Sequence, residues 1–209
     1  MNLLKLYIVN KGKLETFNLP ITAKMPYSKY LSVKEFRGSS KSLILWTDIK
    51  MIQMFDLLRS GYGSPINVGY AFRLPREGGH WNRSEHYAGL AFDSMQGRTN
   101  AARAKVREVA KEQGKCTYIE PVSMSPTWVH TDVGFPRTIK KGSLSVYTFV
   151  LQDSLDFLGY PLITDGSFGP GTEKALIAYQ KKNKLSPTGV CDGATWKKLG
   201  DMVAVKRGK

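Results

Sequence analysis

Apolar residues recur along the chain in alternating and helical periods, separated by a few sharp breaks. Near the start, "LKLYIV" is a short apolar run that predicts a first β-strand. "SVKEF" predicts a short helix, with Ser32 as N-cap and Glu35 three residues on to close a capping box. In "TDIKMIQMFDLLRSGYG", Ile49, Ile52, Met54, Phe55 and Leu58 sit mostly at three- and four-residue spacings. That predicts an amphipathic helix, which Gly61 and Gly63 are expected to stop. "PINVGYAF" and "GLAFD" predict strands, "RTNAARAKVREVAKEQG" a second long helix ended at Gly114, and "TWVHTDV" a further strand. Alternation in that last strand puts Trp128, His130 and Asp132 on one face.

The pattern changes at "FPRTIKKGS", which holds a proline, basic residues and a glycine and lacks helical periodicity. Three helical patterns follow. The first carries Val146, Phe149, Val150, Leu155 and Leu158; the second begins after Pro170-Gly171 with Leu176, Ile177 and Tyr179; the third begins at Asp192 as N-cap and buries Trp196 and Leu199. Turns rich in glycine and aspartate join them. The expected organisation is α+β: a small antiparallel-sheet domain over 1–138, a linker over 139–145 and a three-helix domain over 146–205. A module of roughly 60 residues is near the lower limit for a self-supporting core.

Composition narrows the partners. The chain has 209 residues, is 42% hydrophobic and carries a formal net charge of +14. An excess of that size suits a polyanionic partner, whether nucleic acid, an anionic membrane surface or an anionic cell wall. No nucleic-acid-binding motif is present, which sets that class aside. No run approaches the ~20 apolar residues that a membrane-spanning helix needs, so stable membrane insertion is not expected. "MNLLKLYIVNKGK" reads as a strand and not as a secretory signal, because charge lies close on both sides and no small-residue cleavage site follows. The terminal "KRGK" reads as a frayed end. The two cysteines, Cys116 and Cys191, show neither a CxxC spacing nor a disulfide framework and read as unreactive thiols.

Candidate chemistry gathers around the three histidines, His80, His86 and His130. "SEHYAGLAFD" sets His86 at the end of a glycine-rich loop and Asp93 at the end of a strand, with small residues Ala88, Gly89 and Ala91 that allow loop and strand to approach closely. Zinc takes nitrogen, sulfur or oxygen donors in a tetrahedron, and a catalytic zinc keeps one position open. Two imidazoles and one carboxylate, from His86, Asp93 and His130, supply three ligands and leave the metal Lewis-acidic. His80 and Trp81, in the glycine-rich loop, would shape a cleft beside such a site.

Two resemblances follow from these residues. "DGSFGPGTEKALIAYQKKNKLSPTGVCDGATWKKL" resembles the peptidoglycan-binding domain type 1 family, in its DG-x-FG-x-x-T turn, Tyr179-Gln180, Gly189-Val190 and Thr195-Trp196 with Leu199. "SEHYAGLAFD" resembles the S-x-H-x-x-G-x-A-x-D motif of the zinc D-Ala-D-Ala carboxypeptidase and L-alanyl-D-glutamate endopeptidase family, whose fold is shared with the Hedgehog signalling domain; "WVH" matches its late histidine. This second resemblance covers roughly residues 30–134. It implies Zn2+ held by His86, Asp93 and His130. It also implies that Arg73 binds substrate and polarises the scissile carbonyl, a task suited to a fixed, always-charged fork. His80 and Trp128 join Arg73 as expected substrate-binding residues.

The pattern departs from the family in two places. Many members carry a glutamate three residues before the last histidine as general base, where this chain has Thr127. Asp132 is the nearest substitute, with the rival role of orienting a ligand histidine; Glu85 and Glu120 are weaker substitutes. Tyr70 stands where the family usually has a small serine. Together the resemblances imply a monomeric, endolysin-like hydrolase of peptidoglycan peptides, cytoplasmic until release by a phage-type lysis programme. The alternative is a non-catalytic wall-binding protein that keeps zinc for structure.

Overall fold

The computed structural model describes residues 3–80 and 82–208, so the expectation for Trp81 lies outside the described residues. Among the described residues, two sheets and six α-helices make a mixed α+β fold. β1 (Leu4–Asn10) and β2 (Lys13–Leu19) form a hairpin. β3 (Ile44–Asp48) then joins the far side of β1 in parallel, giving the order β2-β1-β3. The parallel pair corrects the purely antiparallel expectation. A parallel neighbour needs a long crossover, and residues 20–43, carrying α1 (Val33–Arg37), supply it. The second sheet, β4-β5-β7-β6, is antiparallel throughout, from β4 (Val68–Tyr70), β5 (Ala91–Ser94), β6 (Tyr118–Ile119) and β7 (Val129–Asp132).

Local chemistry sets the element ends. Ser32 and Glu35 form the expected capping box at α1. α2 (Ile49–Tyr62) starts at the first apolar position of the stripe, two residues after Thr47: Thr47 and Asp48 close β3, and the Asp48 carboxylate caps the helix by accepting from Lys50 N. Gly61 does not stop α2. It lies inside the helix, where a Cβ would come within 2.6 Å of Val109 of α3 (Asn100–Gln113), so its bareness permits close helix packing. Gly63, at φ +74°, is the residue that ends the helix. The strand expected over "PINVGYAF" is confined to Val68–Tyr70, and its pairing with β5 carries an irregularity between those two residues.

The C-terminal part has the three expected helices, α4 (Val146–Phe157), α5 (Pro170–Lys182) and α6 (Gly193–Arg207). Pro170 is the first residue of α5 rather than preceding it, the position where a missing N–H costs nothing. Two buried glutamines tie the helices to their connecting turns. Gln152 donates to Asp165, Ser167 O and Thr172 and accepts from the N–H groups of Asp165 and Gly166. Gln180 repeats the device, donating to Val190 O and Thr195 and accepting from Gly189 N. Cys191 is buried and Cys116 half-buried, and burial raises both thiols, Cys116 to about 12, so both are weak nucleophiles near neutral pH.

α4 packs into the N-terminal core. Phe149 stacks on Trp46 of β3 at 5.3 Å and meets Tyr7 of β1 at 4.9 Å. Tyr147 Oη donates to Glu85, whose other carboxylate oxygen pairs with Arg137. Ile139 exchanges backbone hydrogen bonds with Cys191. The basic end is docked, contrary to the frayed terminus expected: Arg207 donates to Pro75 O and to Tyr87 Oη. Among the described residues no helix is long and apolar enough to cross a membrane.

A second polar tie gives a pH test. Asp153 of α4 is buried, accepts from Arg76 through Oδ1, and leaves Oδ2 without a partner. Burial pushes its carboxyl up to about 6 against the pull of Arg76. The folded state therefore favours the protonated form. That contribution is complete below the ordinary value near 4 and is lost as pH rises through about 6. Chemical denaturation across pH 4–7 should show this decline in the wild type and a flatter profile in Asp153→Asn.

Candidate metal centre

The antiparallel sheet brings the sequence-predicted residues together. β5 and β7 pair so that Asp93 lies opposite His130. His86 arrives from a 3-10 turn, Glu85–Ala88, capped by Ser84, which accepts from His86 N. Gly89 ends that turn at φ +64°, and a Cβ there would sit 2.1 Å from Trp46 O. Only glycine lets the turn lie this close to β3.

The donors converge on one carboxylate oxygen. His130 Nδ1 lies 2.8 Å and His86 Nε2 3.3 Å from Asp93 Oδ1. His86 is fully buried, and its Nδ1 is 3.1 Å from Ala71 O. A carbonyl only accepts, so Nδ1 carries the proton and Nε2 presents a lone pair. Nε2 accordingly has no hydrogen-bond partner. The 3.3 Å approach to Asp93 sets two acceptors face to face, an arrangement costly to bury unless a cation lies between them. The donor set and this orphaned nitrogen fit a zinc ion, with His86 Nε2, Asp93 Oδ1 and His130 Nδ1 as its holders.

Electrostatics agree. Asp93 is buried, which would raise its carboxyl, yet its hydrogen bond with His130 and the two imidazoles close by hold it well below the usual carboxylate range. Burial pulls His130 down, but the hydrogen bonds with Asp132 and Asp93 overcome it and raise the imidazole to about 9. His130 thus lies as a cation between two carboxylates.

The structure groups His80, and not His130, with His86 and Asp93 as mutually close donors. Donor atoms of His80, His86 and Asp93 all lie within 4.8 Å of one another. Its ring stacks on that of His86 at 4.0 Å, and burial beside His86 lowers it to about 4, so it is neutral near pH 7. Spacing along the chain carried no sign of this, because the loop folds back over the sheet. Arg73 flanks the site, its guanidinium 5.0 Å from the Tyr70 ring and its Nε buried without a partner. Trp128, His80, Tyr70 and Glu120 line a cleft of about 370 Å³ together with His86, His130 and Asp93.

The carboxylates differ in freedom. Asp132 shares a strand face with His130, as expected, and its Oδ2 is 3.4 Å from His130 Nε2. Its Oδ1 accepts from Thr117 Oγ1 and Gly134 N. Glu85 is committed to Arg137 and Tyr147. The Glu120 side chain makes no hydrogen bond or ion pair among the described residues, and its backbone N–H donates to His130 O. Arg107, buried, steadies this segment by donating to the carbonyls of Glu120, Ser125 and Trp128.

Comparisons with known proteins bear on the C-terminal helices. Residues 149–199 match the model of a peptidoglycan binding domain family. No curated protein matches the chain. Among solved structures, a peptidoglycan-binding protein from Clostridioides difficile, crystallised in complex with glutamine hydroxamate, is 39% identical, with a TM-score of 0.31. The match covers 32% of this chain and spans 42% of that protein's length. On the family match, residues 149–199, within α4–α6 and the turns between them, form a peptidoglycan-binding domain.

Proposed function

We propose that the chain is a zinc-dependent hydrolase of peptidoglycan peptides, held on the wall by its C-terminal domain. The observation that carries this reading is the buried standoff between His86 Nε2 and Asp93 Oδ1, with His130 Nδ1 on the same oxygen. A zinc ion there would supply Lewis acidity that makes water nucleophilic near neutral pH and polarises a peptide carbonyl.

The chain's own residues supply the rest. Ala71 O fixes the His86 tautomer. Asp132 acts through His130 as a positioning residue, accepting from Nε2 so that Nδ1 faces the site. That leaves Glu120 as the free carboxylate in the cleft, placed to take a proton from attacking water. Arg73, beside Tyr70 at the edge of the cleft, would grip a substrate carboxylate or steady developing negative charge. The wall-binding domain raises the local concentration of substrate, and the net charge of +14 suits anionic wall polymers.

A second reading is a wall-binding protein with a structural zinc, which the fourth donor His80 favours. Mass spectrometry of purified wall after incubation separates the two. The proposal expects either free D-alanine or a new amino terminus, suppressed by a chelator and restored by zinc. Wall that binds the protein yet stays uncut supports the second reading. Digestion indifferent to chelation contradicts the mechanism.

A further inference from the structure

We propose that His80 is a fourth, displaceable ligand of the metal site, so that the resting site is closed and opens when the His80 loop moves aside. The inference rests on the zinc reading above and goes beyond its three-ligand set.

Position is the first argument. The donor atoms of His80 come within 4.8 Å of those of His86 and Asp93, and its ring lies nearly parallel to His86, at 19°. The imidazole makes no hydrogen bond among the described residues, so nothing else holds its nitrogens there. Chemistry is the second. Four protein donors fill a tetrahedral zinc, as in closed structural sites, whereas hydrolysis needs one position for water or substrate. Whether His80 is in or out therefore decides which kind of site this is.

Two glycines shape the loop, and neighbouring side chains hold it. Gly78 and Gly79 precede His80 at φ +71° and +90°, conformations that other residues rarely adopt. Tyr87 Oη clasps the His80 backbone, donating to its carbonyl at 3.0 Å and accepting from its N–H at 3.3 Å. Arg207 of α6 donates to the same hydroxyl at 3.2 Å, and Asn82 donates to Asp201 of α6. The last helix of the wall-binding domain thus props the loop that carries the fourth donor. A wall peptide entering the cleft would take the position that His80 vacates.

X-ray absorption on the zinc-loaded full-length protein counts imidazole ligands without reference to activity. Three imidazoles are expected in the wild type and two in His80→Ala, with zinc affinity falling about 10- to 100-fold. A count unchanged by the substitution would overturn the role of His80 while leaving the metal in place. A folded wild type that takes up no zinc would instead remove the metal reading itself.

Discussion

His86→Ala is expected to fold, to bind wall through α4–α6, and to lose hydrolysis of wall peptides by about 10³-fold or more. The side chain is fully buried, and its polar and ring contacts are with Ala71 O, the His80 and His130 rings and the Asp93 carboxylate, all within the site. Removing it takes away a nitrogen that has no other partner and leaves Asp93 and His130 as an ordinary ion pair. Lewis-acid assistance supplies several kcal/mol of transition-state stabilisation, and each 1.36 kcal/mol is a factor of ten. Asp93→Asn is the companion variant. It preserves shape while removing the negative charge, and should show the same loss. Product release rates on isolated wall, beside pelleting assays for binding, measure both effects. Equal loss of binding and hydrolysis would point to unfolding instead.

Phe149→Ala is expected to carry the largest stability cost, about 3–5 kcal/mol. Its ring is fully buried, stacked on Trp46 and packed against Tyr7, so truncation leaves a cavity on the N-terminal side of α4. Gly166 depends on the same ring, since a Cβ there would meet it at 2.3 Å. Because the residue belongs at once to the wall-binding helices and to the core beneath β3, both parts should loosen together. Denaturation followed by tryptophan fluorescence and by circular dichroism should give coincident transitions at lower denaturant. Separate transitions, with only the helices destabilised, would contradict a shared core.

Much of this was legible from residue order where the determining contacts are local. The capping box at Ser32 and Glu35, the stripe of α2, the stop at Gly114 and the face shared by His130 and Asp132 all depend on neighbours within a few positions. Features set by distant partners were not. β3 was hidden because Trp46–Asp48 run directly into the apolar stripe of α2, and a parallel strand shows itself only through β1. Gly61 read as a stop because the reason for its bareness is Val109, on another helix. Arg207 read as a loose end because its acceptors, Pro75 O and Tyr87 Oη, lie on the opposite side of the chain. His80 is the functional instance: motif spacing singled out His86, Asp93 and His130, while the approach of His80 depends on how a glycine loop folds back over them.

The central claim is that these side chains hold one divalent cation. Elemental analysis of the purified, dialysed full-length protein tests it most directly. Close to one zinc per chain in the wild type, and almost none in a folded Asp93→Asn protein, is the expected result. A folded wild type that stays empty after exposure to zinc would contradict the account, leaving the wall-binding domain as the part that stands.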